Sequence, residues 1–149
     1  MLGAIALLGL AAASPPPPAA PAAEAPASLT VELENVRNSR GEIRVCMTQD
    51  VAGFLRCRDD PGAVKHRVPA VAGTSEIRIP GLREGRWMLL VLHDENGNGR
   101  MSKSLGIPKE GFGFSGNPAI RMGPPRAGDV VFDLPAGPSR QRVRLKYIL

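Results

Sequence analysis

The residues best suited to chemistry in this 149-residue chain are concentrated between His93 and Pro118. The first part of this stretch, Asp94-x-Asn96-x-Asn98-Gly99, matches the opening of a calcium loop of the EF-hand type. In such a loop, oxygen ligands at alternate positions converge on one hard cation, and a backbone carbonyl at the seventh position, here Arg100, adds another. The match fails at the twelfth position, where Leu105 replaces a bidentate Glu. Glu110 would have to fold back to complete a Ca²⁺ site.

The same residues also predict a turn that needs no metal. Asn96-Gly97 and Asn98-Gly99 are favoured turn dipeptides, and Asp and Asn side chains can hydrogen bond to their own backbone. Asp94 is the one clear charged ligand, so a cation would bind weakly. We therefore favour the metal-free turn and keep Ca²⁺ as the alternative.

A catalytic Ser-His-Asp set could be drawn from this segment, but nothing in the sequence places the three side chains together. His93 adjoins Asp94, which could orient its ring, and Ser115 could supply a nucleophile. The segment Gly113-Phe114-Ser115-Gly116-Asn117 lacks the final Gly of a nucleophile elbow. Gly111-x-Gly113-x-x-Gly116 opens no predicted helix, which argues against dinucleotide binding.

We therefore expect a non-enzymatic module that binds an unknown ligand or an envelope protein through the 93–118 loop. The alternative is a periplasmic hydrolase or other enzyme that uses His93, Asp94 and Glu110. The residues of the candidate ligand site are His93, Asp94, Asn96, Asn98, Glu110, Phe112, Phe114 and Ser115. The residues of the candidate Ca²⁺ site are Asp94, Asn96, Asn98, Arg100 and Glu110.

The elements that hold this loop are predicted to be strands. Alternation of apolar and polar residues predicts strands in 29–34, 43–47, 77–79 and 142–149, with shorter ones in 64–71 and 130–134. The turn at 38–41 predicts a hairpin of the first two strands. Trp87–Leu92 is apolar throughout, which predicts a strand buried on both faces. The fold class is therefore all-β, a single immunoglobulin-like or transthyretin-like β-sandwich of about seven strands with one long ordered loop.

The N-terminal region predicts export. Residues 1–13 form an apolar run that ends in small residues, as a secretory signal does, and the run is too short for a stable transmembrane anchor. Residues 14–27 are rich in Pro and Ala, which predicts a disordered tether and leaves 28–149 for the sandwich. We expect a periplasmic or extracellular protein. In that compartment Cys46 and Cys57 most simply form a disulfide.

The net charge of +5 raises the question of nucleic acid. The most basic segment, Arg140–Lys146, alternates with apolar residues, which places its charges on the solvent face of a strand. Glu32 and Glu34 of the first strand could pair with them across the sheet. No aromatic residues are interleaved to stack bases. We therefore expect no nucleic-acid binding, and we expect a monomer.

Residues 29–149 resemble the bacterial family called domain of unknown function 2141. The resemblance is carried by Gly85-Arg86-Trp87, by the His93–Gly99 loop, and by the block Gly106–Ser115. It implies an exported β-sandwich, and it implies no established activity, substrate or cofactor. Family members often carry Asp at the position of Ser102, and its absence here weakens a cation site.

Overall fold

The computed structural model describes residues 13–16 and 25–149. Residues 1–12 of the predicted signal segment and 17–24 of the predicted tether lie outside the described residues. Residues 13–16, 25 and 26 are exposed and have no regular secondary structure, and the first strand begins at Ala27. No helix within the described ranges is long and apolar enough to cross a membrane.

The regular secondary structure of the described chain is almost entirely strand, which confirms the all-β class. Ten strands are present where about seven were expected: β1 Ala27–Val36, β2 Glu42–Thr48, β3 Val64–Pro69, β4 Gly73–Leu82, β5 Gly85–Asp94, β6 Lys103–Ser104, β7 Ile107–Pro108, β8 Gly111–Phe114, β9 Phe132–Leu134 and β10 Pro138–Arg144. The helical segments are a 3₁₀ segment, Phe54–Asp59, and the four-residue helix α1, Ala127–Val130.

The strands form two main sheets that share a hydrophobic core, and a second, smaller buried cluster contains Phe54, Met88 and Val130. The first sheet has the order β10-β1-β4, and the second has the order β3-β2-β5-β8 with β9 paired to β5. The strands β6 and β7 form a separate small hairpin. Inward-facing residues of both main sheets join one buried cluster, which includes Leu29, Val31, Leu33, Ile43, Val45, Met47, Ile77, Ile79, Trp87, Leu89, Val91 and Val143.

The predicted hairpin of the first two strands is wrong. Val31 of β1 pairs with Ile77 of β4, and β1 also runs parallel to β10. Strand β2 pairs instead with β3 and β5 in the other sheet. The residues after Asn35, which has a left-handed φ of 67°, carry the chain from one sheet to the other. Alternation shows which face of a strand is buried, but it does not identify the neighbouring strand.

The long loop is more regular than expected, because it contains β6, β7 and β8. The alternation of β8 is hidden in the sequence, since its inward positions are Gly111 and Gly113. A Cβ on Gly111 would lie 2.3 Å from the Tyr147 ring, and one on Gly113 would lie 2.6 Å from Cγ1 of Val143. These glycines of the G-x-G-x-x-G pattern therefore allow close packing of β8 against the C-terminal segment.

Two strand boundaries also differ from the expectation. Val130 ends α1, so β9 starts only at Phe132. Strand β10 ends at Arg144, although Lys146 still forms an isolated bridge with Phe112. Short helical turns and isolated bridges involve too few residues to leave a periodic signal.

Candidate functional site

His93 and Asp94 end β5 and face opposite sides of the sheet, as consecutive strand residues do. His93 is fully buried on the core side. Its Nε2 lies 2.8 Å from the Arg40 carbonyl oxygen, and its Nδ1 lies 2.8 Å from the Tyr147 hydroxyl. Because a carbonyl only accepts, Nε2 donates to Arg40, and in a neutral ring Nδ1 accepts from the Tyr147 hydroxyl. His93 therefore takes its orientation from these two partners, whereas the sequence had suggested Asp94.

Ser115 is held away from His93 by its own hydrogen bonds. Its hydroxyl donates to the Val130 carbonyl at 2.6 Å and accepts from the Leu89 N–H at 3.1 Å. Ser115 is also fully buried. The described hydrogen bonds therefore do not join His93, Asp94 and Ser115 into a catalytic set.

The Asp94 carboxylate organises the turn that follows β5. It is fully buried, and Oδ2 accepts from the Gly99 N–H at 2.7 Å and from Arg44 Nε at 2.9 Å. Oδ1 accepts from the Asn98 N–H at 3.1 Å. The Asn96 side chain also accepts from the Asn98 N–H, as an Asx turn requires. The cation in contact with Asp94 is thus the guanidinium of Arg44.

Ser102 connects this turn to Glu110. The side-chain amides of Asn96 and Asn98 both donate to the Ser102 hydroxyl, at 2.9 and 3.0 Å. The Ser102 N–H donates to Oε2 of Glu110 at 2.9 Å. Glu110 therefore does fold back onto the loop, as a Ca²⁺ site would have required.

The Glu110 side chain is unusual because its second oxygen is left unsatisfied. Glu110 is only 3% exposed, and Oε1 has no hydrogen-bond partner in the described part of the chain. Arg100, the remaining proposed ligand, donates its N–H to Asn98 and is exposed. Across residues 13–16 and 25–149, no cluster of three or more His, Cys, Asp or Glu side chains could hold a metal ion.

Glu95 fixes the base of the loop to the β1–β2 connection. Its carboxylate accepts from Arg37 at 2.8 Å, from Arg40 at 2.7 Å and from Asn38 at 3.2 Å. Burial of the Glu95 carboxyl disfavours ionisation, but the hydrogen bonds from these three residues outweigh it and lower the pKa below its usual value. Arg37 also covers the Tyr147 ring at 4.5 Å.

Beside the loop, the outer face of the second sheet forms the floor of a cleft that the sequence analysis did not identify. Strand register aligns Arg67, Arg44, Leu92 and Phe112 in one row across β3, β2, β5 and β8. A second row contains Lys65, Cys46, Leu90 and Phe114. Leu90, Leu92 and Phe114 remain partly exposed.

The walls of the cleft are tied to this floor. The predicted disulfide is present, with a Cα–Cα distance of 6.1 Å between Cys46 and Cys57, and it holds the 3₁₀ segment against β2. Arg58 of that segment donates to the Gly99 carbonyl at 2.8 Å. Residues 99–101, 103, 106–108 and 120–125 complete a cleft of about 1200 Å³.

The basic face of β10 is neutralised as the sequence predicted. Arg140 pairs with Glu32 at 2.5 Å and with Glu76 at 2.9 Å. Arg142 contacts Glu32 and Glu34, and Arg144 also contacts Glu34. These charges form a ladder of cross-strand ion pairs on the solvent face of the first sheet.

Comparison with known proteins gives a family assignment. No curated protein and no solved structure has a significant match to the chain. The family model described as "Uncharacterized protein conserved in bacteria (DUF2141)" matches residues 31–142, so the chain belongs to this bacterial family.

Proposed function

We propose that this domain is a non-enzymatic binding module of the bacterial cell envelope, with its ligand or partner in the cleft beside the 93–118 loop. The observation that carries the proposal is the partly exposed apolar floor formed by Leu90, Leu92 and Phe114 between tethered walls. Recognition sites are commonly loops and clefts positioned by a rigid scaffold. The disulfide and the Arg58–Gly99 hydrogen bond supply that rigidity here.

The arrangement of polar groups supports binding over catalysis. His93 and Ser115 are buried, and each is engaged by structural partners. The Asp94 carboxylate is bonded to Arg44 and two backbone N–H groups. A hydrolase built on His93, Asp94 and Glu110 would need these groups to face one substrate, yet His93 and Asp94 face opposite sides of β5.

We also propose export through a signal peptide in residues 1–13, followed by folding as a monomeric immunoglobulin-like or transthyretin-like sandwich. The Cys46–Cys57 disulfide supports an oxidising compartment. The ion-pair ladder on β10 supports the absence of a nucleic-acid site on that face.

A matched pair of substitutions on the β6–β7 hairpin tests the cleft. Ile107 lines the cleft and is 41% exposed, whereas Leu105, two residues earlier, is fully exposed and is not part of the lining. A thermal-shift screen of lipids, glycans and peptides should yield ligands whose stabilisation is lost in Ile107→Glu and retained in Leu105→Glu. Equal loss in both variants, or in neither, would place binding elsewhere.

Weak Ca²⁺ binding in the 94–110 loop is a second proposal, favoured by the unsatisfied Oε1 of Glu110. A buried carboxylate oxygen without a partner is costly, and a cation would satisfy it. Ca²⁺ would have to displace Arg44 from Asp94, so we expect low affinity. Stabilisation should follow RT ln(1 + [L]/Kd), which gives about 2.7 kcal/mol at a hundredfold excess over Kd.

Glu110→Gln separates this cation site from a purely structural role. Gln keeps an oxygen for the Ser102 N–H and removes the buried charge, so the variant should fold and should lose the Ca²⁺ response. If millimolar Ca²⁺ does not stabilise the wild-type protein, the cation proposal fails and the binding-module proposal is unaffected.

A further inference from the structure

The cleft concentrates the positive charge of the protein. Eight of the nineteen Lys and Arg residues line it, but among the Asp and Glu residues that the structure describes only Asp59 does. Arg44 and Arg58 have carboxylate partners. The other six make no ion pair within the described residues: Arg56, Lys65, Arg67, Arg100, Lys103 and Arg121.

This concentration contrasts with the first sheet. There Arg140, Arg142 and Arg144 are each matched by a Glu on a neighbouring strand. Lys and Arg remain charged at neutral pH, so the cleft presents a positive field that an anion could neutralise. Charge and apolar surface thus occur together in one place.

Positive charge and apolar surface occupy different ends of the cleft floor. In the row at Arg44, the cations lie on β3 and β2, while Leu92 and Phe112 lie on β5 and β8. In the neighbouring row, Lys65 on β3 is followed by the disulfide-bonded Cys46 on β2, and then by Leu90 and Phe114 on β5 and β8. With strands about 4.8 Å apart, polarity changes from basic to apolar over roughly 14 Å. A ligand with one anionic end and one apolar end would match this gradient.

We infer, on the basis of the proposed binding function, that the cleft accommodates a single-chain anionic amphiphile. Its carboxylate or phosphate lies near Arg67 and Lys65, and its acyl chain covers Leu90, Leu92 and Phe114. The six cations that make no ion pair in the described part of the chain supply charge complementarity, and the partly exposed floor supplies apolar burial.

An acidic peptide fits this floor less well. Strand β5 is paired on both sides by β2 and β8, so its backbone offers no hydrogen bonds to a peptide lying above it. Peptide N–H and C=O groups over Leu90 and Leu92 would lose water without gaining partners. An acyl chain has no such groups. Nucleic acid is disfavoured because the cleft is lined by two Phe rings, of which Phe112 is only 8% exposed and Phe114 only partly exposed, which leaves little aromatic surface for stacking.

The inference can be tested by calorimetric titration of the purified full chain with amphiphiles that differ in headgroup or in chain length. Each amphiphile is kept below its critical micelle concentration. Decanoate should bind, decanol should bind more weakly, and decyltrimethylammonium should bind weakest. From octanoate to decanoate to dodecanoate, affinity should rise roughly fourfold per methylene, which corresponds to about 0.8 kcal/mol for each buried CH₂. Equal binding of decanoate and decanol, or no dependence on chain length, would overturn the inference.

Charge-matched variants locate the headgroup. Lys65→Gln/Arg67→Gln should weaken decanoate binding roughly tenfold, as expected for two partly exposed ion pairs of about 0.7 kcal/mol each. Arg78→Gln/Arg83→Gln removes the same charge outside the cleft lining and should leave the affinity unchanged. Equal weakening by both variants would indicate nonspecific attraction and would overturn the assignment.

The failure of the inference can be distinguished from failure of the proposed function. An acidic peptide or oligonucleotide that binds more tightly than dodecanoate and shifts the amide resonances of Leu90 and Leu92 would refute the amphiphile while leaving a binding cleft. If no probe binds saturably and these resonances do not move, both proposals are refuted.

Discussion

Breaking the Asp94–Arg44 pair should reveal how strongly the loop after β5 is held. The Asp94 carboxylate is fully buried and accepts three hydrogen bonds, from Gly99, Asn98 and Arg44. Asp94→Ala leaves all three donors without this acceptor. Hydrogen bonds to charged groups contribute about 1.5–3 kcal/mol each, so three full losses would total about 4.5–9 kcal/mol, which is comparable to the whole stability of many small domains.

Two of the three losses are partly compensated. The Asn98 N–H retains the Asn96 side chain as an acceptor, and Arg44 retains its ion pair with Glu42 and is 32% exposed. We therefore expect Asp94→Ala to cost about 3 kcal/mol, mainly through the Gly99 N–H and part of the Arg44 bond. Arg44→Ala leaves Asp94 with both backbone donors, so about 1.5 kcal/mol is expected.

Urea unfolding at pH 7 of both single variants and the double variant measures these values, provided that the m-value is unchanged. The double variant should cost about 1 kcal/mol less than the sum, because the two residues share one interaction. Asp133→Ala is the control, since the Asp133 side chain is 89% exposed and lies 3.9 Å from Arg86. A cost below about 1 kcal/mol for Asp94→Ala, or strict additivity, would refute the idea that this carboxylate holds the loop.

Three further expectations concern stability. Removal of the disulfide by Cys57→Ser should cost about 2.8 kcal/mol in urea unfolding, from the entropy of a closed loop of about twelve residues; an unchanged midpoint would contradict this. Glu95 has a lowered pKa, so its contribution is present above the unfolded-state pKa of about 4.3 and is lost as pH falls through the lower folded-state value. Stability measured from pH 7 to pH 2.5 should therefore decline less in Glu95→Gln than in wild type. Gly113→Ala should cost about 1–3 kcal/mol by thermal unfolding because its Cβ would overlap Val143, whereas Gly128→Ala, with open space around it, should cost little.

Alternation in the sequence predicted the positions of most of the longer strands but not the strand partners. Val31 and Val45 both alternate with polar neighbours and both enter the core, as predicted, yet they lie in different sheets. Partner choice depends on contacts between distant residues, such as Val31 with Ile77, which local periodicity does not contain. Strand β8 was missed for another reason, because Gly111 and Gly113 replace the apolar residues that usually mark inward positions.

For the loop residues, too, the sequence indicated the local contacts but not the contact with a distant strand. The motif favoured a turn organised by Asp94, Asn96 and Asn98, and the hydrogen bonds show such a turn. The return of Glu110 to Ser102 had been raised only as a requirement of a Ca²⁺ site. The motif did not predict that Arg44, fifty residues away, would pair with Asp94. No short-range pattern reports such a partner, since it results from the register of β2 against β5.

The cleft was missed because its charges are scattered along the chain. The sequence directs attention to Arg140–Lys146, where basic residues are dense, but there each Arg faces a Glu of β1 or β4. Arg56, Lys65, Arg67, Arg100 and Arg121 come from four separate segments and meet only after β2, β3 and the disulfide are in place. The local density of basic residues in the sequence therefore favours the β10 face over the cleft as an anion-binding surface, whereas the ion pairs of the structure favour the cleft. What distinguishes a surface that can attract an anion is the absence of opposite charge beside it, and strand pairing and loop placement determine this.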